Sequence, residues 1–246
     1  MLLRSATCLT LLLSIWAVCA QAQNERPQFK FGAKAGINFS TFTDDIDLMD
    51  RPDQRYTGFS DIPRMSILLG VTADRQLSQR IMFGAELLYN SRGTKYREEN
   101  TNIAPWFDDD GDEQRSYNYI TYRFDYMELP LTIGYNFLPE KSNTILSAYT
   151  GIAPGLLINH KRKIDYDKNA TDLQDQKLDM RYGKSVITNL LLGLKVMESK
   201  ERLGAAFFDL RGSYTLSPVF TRNYSDAGRN LDTRMFTLSL AVGVRF

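Results

Sequence analysis

Phe29-Lys-Phe-Gly-Ala-Lys-Ala-Gly-Ile-Asn-Phe39 carries two chemistries in alternate positions. The odd positions are Phe29, Phe31, Ala33, Ala35, Ile37 and Phe39; between them stand Lys30, Gly32, Lys34, Gly36 and Asn38. Successive side chains of an extended chain point to opposite faces, so this is a β-strand with one greasy face and one polar face. The same pattern recurs at the other end of the chain. Phe236, Leu238, Leu240, Val242, Val244 and Phe246 alternate there with Thr237, Ser239, Ala241, Gly243 and Arg245.

Six further runs fit between these two: Met65 to Gln76, Ile81 to Tyr96, Asn118 to Asn136, Thr144 to Ile158, Val186 to Val196 and Arg202 to Leu216. In the third strand Phe83, Ala85, Leu87 and Tyr89 oppose Gly84, Glu86 and Asn90; in the seventh Phe208, Leu210 and Tyr214 alternate with Asp209, Arg211 and Ser213. The fifth run is apolar on both faces, which leaves its register open. Pro130 falls inside the fourth run, where it removes a ladder hydrogen bond and predicts a bulge or local break. The connections are about 22, 4, 21, 7, 27, 5 and 17 residues long, so long and short alternate throughout. That rhythm predicts an all-β fold: an eight-stranded antiparallel transmembrane β-barrel with short periplasmic turns and long extracellular loops. A strand of about 11 residues, tilted near 40°, covers about 28 Å of membrane normal.

A soluble eight-stranded barrel such as a lipocalin also alternates, but it turns its apolar face inward around a ligand. Here the polar face combines Gly, Ala, Ser and Thr with Lys34, Glu86, Arg211 and Arg245, which suits a lumen where charges pair better than an apolar calyx. Aromatic residues make up 12% of the chain, with 13 Tyr and 14 Phe. No later stretch approaches 18 consecutive apolar residues, so a membrane helix beyond the N-terminal segment is not expected.

That N-terminal segment reads as a secretory signal. Arg4 supplies a positive start, Leu9 to Val18 is a short apolar core, and Ala20-Gln21-Ala22 offers small residues at a cleavage site before Gln23. Residues 1–22 are therefore expected to be removed, leaving 23–246 as a single barrel domain. Acylation at Cys19 is the rival reading; Trp16 and Val18 fit that processing site poorly. Both cysteines, Cys8 and Cys19, lie in or beside the removed segment, so no disulfide or thiolate metal site is expected in the mature chain. Removing Arg4 takes Lys+Arg from 30 to 29 against 29 Asp+Glu, a balance that gives no basic stripe for nucleic acid.

Three segments carry a family resemblance. Phe31-Gly-Ala-Lys-Ala-Gly-Ile-Asn-Phe-Ser40, Tyr126-Met-Glu-Leu-Pro-Leu131 and Leu240-Ala-Val-Gly-Val-Arg-Phe246 resemble the first, fourth and last strands of the PorT-like outer-membrane β-barrel family of Bacteroidetes-type bacteria. The resemblance implies a small porin-family barrel in the cell outer membrane of a Gram-negative envelope. It further implies that Phe246, with Val244 and Val242, forms the signal read by the barrel-insertion machinery. Phe246 also suits a lower aromatic girdle with Phe29 and Tyr135. Some members are linked to protein export, a role the motifs themselves do not carry.

The candidate site is the set of charges on lumen-facing positions: Lys34, Glu86, Glu128, Lys195, Asp209, Arg211 and Arg245. A barrel this narrow is filled by side chains, and buried charges must pair, so a structural carboxylate–guanidinium network is expected across the lumen. A gated conduit through the same residues is the alternative. The single histidine, His160, lies in the basic run His160-Lys-Arg-Lys163, expected to open the third long loop beside lipopolysaccharide phosphates or water; nothing nearby forms a nucleophile–base pair. In the tract Asp108-Asp-Asp-Gly-Asp-Glu113, Trp106 and Tyr117 stand where a calcium-binding helix–loop motif needs carboxylates. The reading is thus a non-enzymatic barrel without cofactor, metal or nucleic-acid partner. Its expected partners are outer-membrane lipids and lipopolysaccharide, the insertion machinery, and a surface ligand of the loops. A narrow small-solute channel and an export-system accessory are the alternatives.

Overall fold

In a computed structural model of the chain, the alternating stretch at Phe29–Phe39 becomes one wall of a closed ring. The structure describes residues 29–43, 60–99, 105–107, 110–138, 144–166, 175–179, 183–198, 205–224 and 229–246. In chain order the strands are β1 (Phe29–Phe42), β2 (Ser60–Gln76), β3 (Ile81–Glu99), β4 (Trp106–Phe107), β5 (Glu113–Gln114), β6 (Tyr117–Glu128) and β7 (Leu131–Asn136). There follow β8 (Thr144–Asp165), β9 (Gln176–Asp179), β10 (Val186–Glu198), β11 (Ala205–Thr215), β12 (Phe220–Tyr224), β13 (Arg229–Thr233) and β14 (Met235–Arg245). The ring runs β1, β2, β3, then β6 and β7 end to end, then β8, β10, β11 and β14, which pairs back onto β1. It is an eight-stranded antiparallel barrel, with no helix among the described residues. Closure leaves no open edge in the ring, the condition for a sheet to sit in hydrocarbon.

The burial pattern is the reverse of a soluble protein's. Met65, Val242 and Leu192 are 67%, 61% and 68% exposed, while Asn38 and Glu128 are 0% and 1% exposed. An apolar surface of this extent facing water would drive aggregation; facing lipid it is the barrel's solvated side. The short-turn end is ringed by aromatics with basic partners. Phe29 stacks on Phe31 with Arg75 5.2 Å above its ring, and Arg80 donates to the Tyr135 hydroxyl at 2.8 Å. Amphipathic side chains of this kind anchor a barrel at the membrane–water boundary.

Pairing fixes the register that the doubly apolar fifth run left open. Ser147, Tyr149 and Ala153 of β8 are buried in the lumen, and Thr150, Ile152 and Leu156 face outward. At Pro130 the fourth strand breaks into β6 and β7, and its neighbours keep one register across the gap, Leu88 opposite Glu128 and Ala85 opposite Leu131. The strand is interrupted there without being displaced. Irregular pairing lies elsewhere: the β6–β8 register shifts between Asp125 and Tyr126, and the β2–β3 register between Pro63 and Leu68. There lumen side chains serve the β3 backbone, Ser66 Oγ and Asn38 Nδ2 donating to Ser91 O at 2.7 and 2.9 Å. Ser40 Oγ accepts from Gly93 N at 2.9 Å.

The strands outrun the expected bounds at the long-loop end. The basic run His160–Lys163, expected to begin a loop, is strand: Lys161 and Lys163 pair with Arg123 and Thr121 of β6 on one side and with Asp179 and Lys177 of β9 on the other. The cause is composition, since Tyr117-Asn-Tyr-Ile-Thr-Tyr122 favours extended backbone beyond the lipid-facing belt. The connections hold small hairpins of their own, β4 with β5 and β12 with β13. The signal segment, the loop positions Asp47, Asp108, Asp109, Asn169 and Ser225, and the turn positions Asn143 and Ser199 lie outside the described residues.

Candidate functional site

Three layers of side chains fill the lumen. In the layer nearest the short turns, Lys34 from β1 reaches Glu86 of β3 and Asp209 of β11, each at 2.8 Å. Arg211 meets the same two carboxylates, Glu86 at 2.8 Å and Asp209 at 3.1 Å, and its Nε donates to the Tyr149 hydroxyl at 2.8 Å. Tyr149 donates in turn to Asp209. Each cation thus touches both anions, and four strands are tied across the barrel. Beside them Lys195 pairs with Asp74 at 3.3 Å and lies 5.3 Å from the centre of the Phe207 ring. The charges balance within the layer, as groups withdrawn from water must.

The middle layer is built around Glu128. Its carboxylate accepts from Arg92 at 2.9 Å, Asn90 at 2.8 Å and Asn189 at 3.2 Å. Asn38 donates to Asn90 Oδ1 at 2.6 Å and Thr215 to Asn189 Oδ1 at 2.9 Å, which extends the network to β1 and β11. Above it, toward the long loops, lies an apolar layer of Phe42, Tyr96, Ile120, Tyr122, Phe124, Tyr126, Ile187, Val219 and Met235. Phe42 meets Phe124 edge-on at 5.9 Å and Tyr96 meets Tyr122 at 6.1 Å.

Of the residues singled out from the sequence, Lys34, Glu86, Asp209 and Arg211 come together, and Lys195 lies in the same layer. Glu128 does not pair with Arg211; it sits one layer up with Arg92 as its guanidinium, because the stagger of β6 against β3 and β10 leaves its carboxylate level with Asn90 and Asn189. Arg245 is buried at the short-turn end, in register with Gly32 and Ala205, and stands outside this cluster. Val242, Val244 and Phe246 face outward, and Phe246 N donates to Phe31 O at 2.7 Å. Sequence reasoning missed Arg92, Asp74, Asn189 and Tyr149. Parity along β2, β3 and β10 marks the first three; Tyr149 carried no such mark in a run apolar on both sides.

A model of the family described as outer membrane protein beta-barrel domain matches residues 21–221. The chain belongs to that family. Its membership and fold imply a place in the outer membrane. Among solved structures the barrel is similar to neisserial surface protein A, at 12% identity over 90% of this chain and 100% of that one, with a TM-score of 0.39. It is also similar to OprG from Pseudomonas aeruginosa, at 12% identity over 90% and 97%, TM-score 0.35. A third is Ail of Yersinia pestis, solved with the heparin analogue sucrose octasulfate, at 13% identity over 89% and 99%, TM-score 0.31. No curated protein matches the chain.

Proposed function

We propose that this protein is a non-enzymatic, non-conducting outer-membrane barrel of the PorT-like type, exported by its N-terminal signal and presenting its long connections outside the cell. The observation that carries this is the filled lumen. Buried, oppositely paired charges span the barrel in two layers, and an apolar layer closes the end nearest the long loops. An eight-stranded ring has room for such side chains and little else. Small-solute conduction would require these groups to part, and each buried ion would lose the partner that offsets its desolvation. The surface-exposed connections are then what the barrel holds in place, as binding sites on many rigid scaffolds are loop-borne.

Purified barrel in planar bilayers is expected to show no steady conductance. Stable single-channel steps that vanish on replacing Arg211 would favour the conduit. Orientation is tested separately. The mature chain lacks cysteine if cleavage falls before Gln23, so single cysteines at Asp47, Asn169 or Ser225 can be labelled on intact cells with an impermeant reagent. Labelling is expected at these positions and not at Gln79 or Ser199. The opposite result would invert the barrel in the membrane.

A further inference from the structure

The outer wall above the lipid belt is not uniform. Lumen positions of β6 are Ile120, Tyr122, Phe124 and Tyr126, so Thr121, Arg123 and Asp125 face outward. Two cross-strand rows follow on this face: Gly93, Arg123, Lys161 and Asp179, and beyond it Lys95, Thr121, Lys163 and Lys177. Arg123 holds Asp125 through two hydrogen bonds of 2.9 and 3.0 Å, and Asn159 donates to the same carboxylate at 3.0 Å. Arg64 joins from the β2 bulge, its guanidinium bonded to Arg92 O at 3.0 Å and to Ser91 Oγ at 3.4 Å; Ser91 stands opposite Asp125. Lys95 lies 4.2 Å from the centre of the Tyr119 ring, and Lys163 pairs with Asp165 and, at 3.7 Å, with Asp175.

On this wall Arg64, Lys95, Arg123, Lys161, Lys163 and Lys177 outnumber Asp125, Asp165, Asp175 and Asp179; Lys161 and Lys177 are exposed, and the Arg123 and Lys163 side chains are 45% and 41% exposed. Directly below, the same face is apolar, with Met65, Met127, Leu156 and Ile158 exposed. The wall on the other side of the ring, where β11, β14 and β1 approach the long loops, shows Tyr214, Leu216, Phe236 and Phe39, with a single cation, Arg234, beside the Tyr214 hydroxyl among the described residues.

We infer that the β3–β6–β8 wall binds the phosphorylated headgroup of an outer-leaflet lipid. Acyl chains lie on Met65, Leu156 and Ile158, and the headgroup phosphate meets Arg123, Lys161 and Lys163. The inference rests on the proposed orientation, which puts this end at the outer leaflet. Guanidinium and ammonium groups beside an apolar surface match an anionic amphiphile, and each cation near such a surface contributes roughly a fivefold gain in affinity.

The test is native mass spectrometry of the full mature chain in detergent, titrated with bisphosphorylated lipid A and with its dephosphorylated form. The phosphorylated lipid is expected to bind about 20-fold tighter. Replacing Lys161 and Lys163 by Gln should remove most of that preference, and R75Q at the opposite end should not. Because Arg123 also holds Asp125, its contribution is read in R123Q combined with D125N, after heat-modifiable gel migration shows the barrel folded. Equal binding of both lipids, an unchanged preference in K161Q/K163Q, or equal competition by inorganic phosphate would overturn the inference. A chain that inserts in vesicles yet fails to discriminate defeats only this site; labelling that inverts the topology defeats the reading beneath it.

Discussion

Replacing Arg211 by Met is expected to destabilise the folded barrel by about 3–5 kcal/mol, read as a lowered urea midpoint for the protein in lipid vesicles. Arg211 bonds Glu86 and Asp209 at 2.8 and 3.1 Å inside a wall-to-wall contact with Lys34. Without it, two buried carboxylates share one ammonium group. Pairing the change with Glu86→Gln restores one cation against one anion, Lys34 with Asp209 at 2.8 Å. The double variant should therefore recover most of the loss. A silent single change, or a double that is merely additive, would mean that water already solvates these groups and that the lumen is a conduit. The matched partner for Glu128 is Arg92, so the corresponding pair in the middle layer is Glu128→Gln with Arg92→Met.

Gly93→Ala should cost at least about 3 kcal/mol and can abolish folding into vesicles altogether. Gly93 has φ +151°, and a Cβ there would lie 1.9 Å from the Tyr122 carbonyl oxygen of the neighbouring strand. Backbone strain and overlap act together, and the overlapping atom belongs to a ladder that cannot give way. The comparison is Gly212→Ala, where the nearest atom is Leu192 O at 3.7 Å; a change within about 0.5 kcal/mol is expected. Equal stability of the two variants would show that the β3–β6 contact relaxes.

The barrel was legible in the sequence because lipid on one side and packed polar groups on the other force period two on every strand. Phe29–Phe39 states that rule in eleven residues, and Lys34, Glu86, Asp209 and Arg211 follow from it by parity alone. Pairing within the lumen was less legible. Parity says that Glu128 and Arg211 share an interior; it does not say at what height, and height is set by stagger between strands. The same limit hid Arg92 as the partner of Glu128. Tyr149 was invisible for another reason, since in Thr144 to Ile158 small and apolar residues occupy both faces and no contrast marks the lumen. The basic run at Lys161 and Lys163 was legible, but Arg123 beside it was not, because strand pairing and not local pattern brings the two together.

The pairing of β1 with β14 places Gly32 opposite Arg245. The seam of the ring thus joins residues almost a full chain length apart, and the entropy of closing that loop must be met before the contact returns anything. Until β14 arrives, β1 and β11 are both unpaired edges and the lipid-facing residues have no wall to belong to. Assembly in water would expose those edges to other chains at each encounter. The arrival of β14 therefore controls when the molecule becomes safe from its own kind, and its traffic to the membrane has to keep it apart from itself until then.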